Sequence, residues 1–135
     1  MITVAKSEVK PIQTQDDIVL VRKAVRDWAI ELKFGIVDQT KIITAASELA
    51  RNAYDYGKGG NMKLESLVDG LRRGLRLTFQ DQGPGIENMD LALTDGYTTG
   101  GGLGMGLTGA KRLVSEFDIK SIPGQGTTVT ITKWK

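Results

Sequence analysis

The chain has 135 residues, 40% of them apolar, and 18 basic against 16 acidic side chains leave a formal charge of +2. That length suits one core rather than two, the balanced charge without a basic tract argues against a nucleic-acid face, and no run approaches ~18 consecutive apolar residues, so no membrane span is predicted. Cysteine and histidine are both absent, which excludes disulfides, thiolate chemistry, a Ser-His-Asp triad, a His-ligated zinc and a phosphohistidine relay; a general base must be a carboxylate or, less readily, Lys or Tyr.

The N-terminus, Met1 to Lys6, alternates polar and apolar residues and carries no signal-like apolar core, so a cytoplasmic chain is expected. Ile2 to Ile12 reads as a strand. Thr14-Gln-Asp-Asp17 offers capping oxygens and early negative charge for a helix whose apolar positions are Ile18, Val21, Val25, Trp28, Ala29 and Leu32, with Gly35 expected to close it. Asp38 can cap a second helix that runs to Tyr56, with the stripe Ile42, Ala45, Ala46, Leu49, Ala53 and Tyr56. Glu48 and Asn52 fall one turn apart on an edge of that stripe.

Asn61 to Val68 and Arg73 to Gln80 read as strands of a hairpin turning at Asp69-Gly70. A short helical piece is expected at Asn88 to Leu93, and the small, polar segment Thr94 to Leu103 reads as a lid. A third helix is expected over Gly104 to Glu116, with Leu107, Ala110, Leu113, Val114 and Phe117 on its apolar side. The strand Asp118 to Ile122, the turn Pro123-Gly-Gln-Gly126 and the strand Thr127 to Trp134 end the chain. The order β-α-α-β-β-lid-α-β-β predicts a two-layer α/β sandwich, with a mixed, mostly antiparallel sheet and three helices on one face. It is read as one complete domain, 1–135.

Four stretches carry chemistry. Asp81-Gln-Gly-Pro-Gly-Ile86 puts a carboxylate at a strand end before a Gly-Pro-Gly turn, and Gly100 to Gly106 holds five glycines in seven positions. Glycine at that density suits close approach of backbone to a ligand, and N–H groups gathered before a helix suit a polyphosphate. Gly104-Met-Gly106-Leu-Thr-Gly109 matches the dinucleotide fingerprint, but no strand directly precedes it and no suitable acid follows. The P-loop pattern is absent. Glu48 and Asn52 are either a solvated pair or a carboxylate base beside a hard amide ligand for Mg²⁺. Asp81 either opens a turn or accepts a hydrogen bond from an adenine amine. Gly126-Thr127 is either a hairpin exit or a support for that group.

In this order the four stretches resemble the N box (Glu48-Leu-Ala-Arg-Asn52), the G1 box (Asp81 to Ile86), the G2 box (Gly102 to Leu107) and the last box (Gly126-Thr127-Thr128) of the GHKL ATPase superfamily. Within it, Glu48 to Gly60 and Gly101 to Leu113 resemble the RsbT-type serine/threonine kinases of bacterial stressosome and partner-switching modules. The resemblance implies the Bergerat ATP-binding fold, ATP and Mg²⁺ as cofactors, and phosphorylation of Ser or Thr on a STAS-domain partner. It also implies binding to a PP2C-type phosphatase on release; related anti-sigma kinases bind a sigma factor instead. By position, Glu48 would be the general base and Asn52 the Mg²⁺ ligand. Asp81 would bind adenine in a pocket shaped by Gly83, Gly85 and Ile86, with Thr127 near the base. Gly102, Leu103, Gly104, Met105 and Gly106 would cradle phosphates, which Lys58, Thr98 and Thr99 could reach, and Asp55 would line the pocket. Without histidine or a receiving domain, such a kinase acts on another protein. A nucleotide-gated binding regulator is the alternative.

Overall fold

A computed structural model describes residues 1–85 and 103–135, the side chains of 103–105 excepted. The elements are β1 (Thr3–Ile12), α1 (Gln15–Glu31), α2 (Ile36–Asp55), β2 (Gly60–Asp69), β3 (Arg72–Asp81), α3 (Leu103–Arg112), β4 (Glu116–Ile122) and β5 (Gly126–Trp134). The five strands lie in the order β1-β2-β3-β5-β4, and every described pairing is antiparallel. β3 and β4 run parallel, as expected of strands joined across α3, but the β4–β5 hairpin folds β5 in between them. The expected layers stand, and mixed pairing never arises among the described strands. The expected short helix at 88–93 and the lid over 94–102 lie outside the described residues.

Thr14 caps α1 as its sequence predicts. Its hydroxyl accepts the Asp17 N–H at 3.2 Å, while Asp17 Oδ2 accepts the N–H groups of Gln13 and Thr14 at 2.8 and 3.1 Å. Gly35 does not close the helix. Lys33 takes the left-handed conformation (φ 64°), and the Lys33 and Phe34 N–H groups bond back to Ile30 and Ala29 carbonyls. The buried Phe34 anchors this turn and outweighs the glycine preference at the left-handed position. Gly35 is instead the N-cap of α2, and Asp38 sits within its first turn, 3.6 Å from Lys133 Nζ.

α2 is the central helix. Ala45, Ala46, Ala50 and Ala53 are buried with Ile42 and Leu49, so short side chains admit α1 on one flank and α3 on the other, above β2 and β3. Ala50 lay off the expected stripe because two flanking helices widen the buried arc. Met62, Leu64, Leu75, Leu77, Phe79, Val129 and Ile131 complete the core from the sheet. α3 ends at Arg112, four residues before the expected Glu116. Ser115 N–H donates to the Thr132 carbonyl and Glu116 pairs with Thr132, so sheet pairing claims residues whose periodicity also suited a helix.

Candidate functional site

The end of β3, the C-terminal half of α2, the start of α3 and the entry to β5 meet at one edge of the sandwich. They line a cavity of about 40 Å³. Its polar lining is Asn52, Asp81 and Thr127, and its apolar walls are Leu49, Ala53, Tyr56, Phe79, Leu107 and Val129, with Gly57 and Gly85 at the rim. An apolar slot with a few convergent polar groups suits the flat face of a base.

Asp81 is half-buried, and one carboxylate oxygen is already committed. Oδ1 accepts the Gly83 N–H at 3.0 Å and the Thr127 N–H at 3.2 Å. Burial pushes the Asp81 pKa up, and these two backbone donors pull against it. The carboxylate is thereby pinned in orientation while Oδ2 is left to accept a further donor. Thr127 Oγ1 lies 2.9 Å from the Ser121 hydroxyl. Gly126 has φ 115°, and a Cβ there would fall 2.2 Å from the Asp81 carbonyl oxygen. Gly85 (φ 75°) packs on the β4–β5 turn, a Cβ there falling 2.6 Å from the Ile122 carbonyl oxygen, and the Gly124 N–H donates to the Pro84 carbonyl at 2.7 Å. Glycine here permits backbone to pack on backbone.

At the other end, Gly106 brings α3 against α2. A Cβ on it would lie 3.0 and 3.1 Å from the two amide atoms of Asn52 and 3.4 Å from Glu48 Oε2. Glu48 is half-buried, and its Oε1 accepts from Arg51 Nη1 at 3.2 Å on the exposed side. Asn52 Nδ2 is buried without a hydrogen-bond partner among the described residues. An orphaned buried N–H donor is costly and suits an anionic phosphate oxygen, while the oxygen of the same amide is a hard ligand of the kind Mg²⁺ takes. The residues present therefore fit a metal-bound polyphosphate.

Glu48, Asn52 and Gly106 thus come together, as do Asp81, Gly83, Gly85 and Thr127. Asp55 is exposed and is not among the residues lining the cavity. Lys58 (φ 58°) lines a neighbouring polar cleft with Gln13, Asn61, Gln80 and Gln82 instead. Leu103 and Gly104 lie in the first turn of α3, as does Met105. Ile86, Thr98, Thr99 and Gly102 lie outside the described residues. Sequence reasoning placed Leu49, Ala53 and Leu107 on the apolar faces of helices, left Phe79 and Val129 within strands, and assigned neither these nor Gly57 to the site. The signal was spacing: Leu49 and Ala53 flank Asn52, and Phe79 and Val129 each stand two residues from Asp81 and Thr127 along a strand.

An apolar slot with a pinned carboxylate, a helix-borne carboxylate and amide, and a glycine-rich helix start define a nucleotide-binding α/β sandwich. Residues 37–135 match the family of histidine kinase-, DNA gyrase B- and HSP90-like ATPases, and the chain belongs to it. It is 47% identical over 123 residues to the serine/threonine-protein kinase RsbT of Bacillus subtilis, covering 91% of this chain and 92% of that one. It is also 31% identical to an anti-sigma F factor of Clostridium kluyveri, over 83% and 82% of the two chains. In a crystal structure of RsbU and RsbW domains from Mycobacterium tuberculosis, 97% of this chain overlies 33% of that chain with a TM-score of 0.67 at 24% identity, a likeness of fold. The chain is thus an enzyme of the protein serine/threonine kinase class, among the kinases and regulators of partner-switching signalling.

Proposed function

We propose that this protein transfers the γ-phosphate of ATP to a serine or threonine of a STAS-domain partner, in the cytoplasm, with Glu48 as general base. On release it binds a downstream regulator, such as a PP2C-type phosphatase or a sigma factor. The observation that carries the reading is the pairing of a pinned Asp81 at one end of the cavity with Glu48 and the Asn52 amide, its nitrogen unpartnered among the described residues, at the other. Asp81 Oδ2 accepts from the exocyclic amine of adenine, and Phe79, Leu107 and Val129 exclude water from the ring. Gly83 and Gly85 give the base its room, and Thr127 supports Asp81 through its N–H. Asn52 holds Mg²⁺, which supplies charge neutralisation on the phosphates when bound. The backbone from Gly102 to Gly106 cradles those phosphates at the start of α3, where N–H groups lack partners within the helix.

Glu48 Oε2 faces Gly106 and takes the proton of the incoming hydroxyl, while Arg51 holds the other oxygen. General-base removal typically costs ~10²–10⁴-fold in rate. The test is label transfer from γ-labelled ATP with Mg²⁺ to candidate STAS proteins. Glu48→Gln is expected to keep ATP binding and lose transfer. Unchanged turnover in that variant would remove Glu48 from the mechanism. ATP binding and partner binding without any transfer by the unaltered protein would favour the nucleotide-gated regulator, a reading to which the anti-sigma relatives lend weight.

A further inference from the structure

We propose that Gly57 is a specificity-determining residue for the nucleotide base, acting through Asp81; this rests on the reading of Asp81 as the adenine acceptor. A Cβ placed on Gly57 would lie 2.3 Å from Asp81 Cγ, 2.5 Å from its Cβ and 2.5 Å from Oδ2. The threatened oxygen is the one that no backbone N–H among the described residues occupies, since Gly83 and Thr127 both donate to Oδ1. The missing side chain at position 57 is therefore what leaves Oδ2 open toward the cavity.

The backbone itself does not call for glycine at this position. Gly59 has φ 94° and needs glycine for its conformation, whereas Gly57 has no positive φ. Its requirement comes from the neighbour alone. Asp81 cannot retreat from a methyl group without giving up this arrangement, because its carbonyl is closed in by Gly126 and its Oδ1 is tied to two N–H groups. Gly83 also packs there, and a Cβ on it would sit 2.6 Å from Gly57 Cα.

Gly57 also joins the two ends of the site. Its N–H donates to the Asn52 carbonyl at 3.1 Å, closing α2, and its Cα rests on the Asp81 carboxyl group. The span from the group that reads the base to the group that holds the phosphate end runs through one residue without a side chain. A substitution there displaces the carboxylate by several tenths of an ångström or more while leaving Asn52 on its helix. Base selection should therefore suffer before phosphate binding does.

The experiment measures dissociation constants for ATP and for purine riboside triphosphate, which lacks the exocyclic amine. The proteins are the unaltered chain, Gly57→Ala and Gly109→Ala, whose added methyl group meets open space. The unaltered chain is expected to prefer ATP by ~10–100-fold, the usual worth of a hydrogen bond to a charged group. In Gly57→Ala that ratio should fall toward one through loss of ATP affinity, with the analogue bound about as before. Gly109→Ala should keep the ratio. A retained ratio in Gly57→Ala overturns the inference and leaves the Asp81 reading standing. No preference in the unaltered chain overturns the Asp81 reading instead. Should Gly57→Ala fail to fold, the same change is made on Asp81→Gly, which opens the space. There the added methyl group is expected to cost neither melting temperature nor ATP affinity, and an undiminished cost would show that Gly57 does not act through Asp81.

Discussion

The two ends of the site are built on opposite plans. At the base end, the backbone does the work: Asp81 Oδ1 takes two N–H donors, and Gly57, Gly83 and Gly126 close on it from three sides. At the other end, α2 offers a carboxylate tied to an exposed Arg51 and an amide nitrogen with no partner among the described residues. The first end is finished by the fold. The second carries a buried amide nitrogen that finds no partner among the described residues. A pre-formed recognition pocket beside under-satisfied catalytic groups is what a site needs if it selects its nucleotide first and assembles its chemistry around the phosphates.

The contrast is broken most severely at Asn52. Asn52→Ala should abolish Mg²⁺-dependent ATP binding and yet leave the nucleotide-free protein as stable as before or more so, because a buried unpaired amide is removed. Calorimetry with and without Mg²⁺·ATP checks both halves, and a marked loss of melting temperature in the empty protein would mean that the amide has a structural partner. Asp81→Asn comes next. It should weaken ATP by about tenfold or more while GTP binding changes little; equal loss for both nucleotides would count against the adenine contact.

Asp81 also makes a prediction in pH. Its folded pKa is raised, so its ionisation opposes folding. That contribution to stability is lost as pH rises from the ordinary aspartate range through the raised value. Asp81→Asn should flatten this segment of the stability curve in the nucleotide-free protein, and an unchanged acid profile would contradict it.

The smallest effect serves as a control away from the site. On the sheet face opposite the helices, Arg76 donates to Glu65 through Nε at 2.9 Å and Nη2 at 3.2 Å. The hydrogen bond from Arg76 holds the Glu65 carboxyl below its ordinary range. The pair therefore stabilises fully above that range, and its contribution fades as pH falls through the depressed value. Glu65→Gln should cost about 1 kcal/mol near neutral pH, less in acid, with ATP affinity untouched. Altered nucleotide binding in that variant would mean that the outer sheet face reaches the site.

Much of the site was legible because its residues sit where local rules put them. Glu48 and Asn52 share a helix edge through a four-residue spacing, and Asp81 ends a strand whose alternation of Leu75, Leu77 and Phe79 is plain. The first helix cap was equally readable from Thr14 and Asp17. Gly35 and Asp38 misled because helix ends depend on what the neighbouring side chain can anchor, and the burial of Phe34 is not a local property. The same holds for the end of α3, where Leu113 and Val114 keep the helical period while Ser115 and Glu116 are taken into the sheet.

The sequence alone determined the element order, the amphipathic faces and the four motifs, three of them glycine-bearing, since periodicity and turn chemistry act over a few residues. Only the tertiary structure decided that β5 lies between β3 and β4, that Gly106 abuts both Asn52 and Glu48, and that Gly57 makes room for one oxygen of Asp81. These are contacts between distant parts of the chain, and a glycine in sequence looks the same whether it frees a backbone angle or leaves a space. The φ value and the neighbour that an added Cβ would meet at 2.3 Å separate the two, and both exist only once the chain has folded.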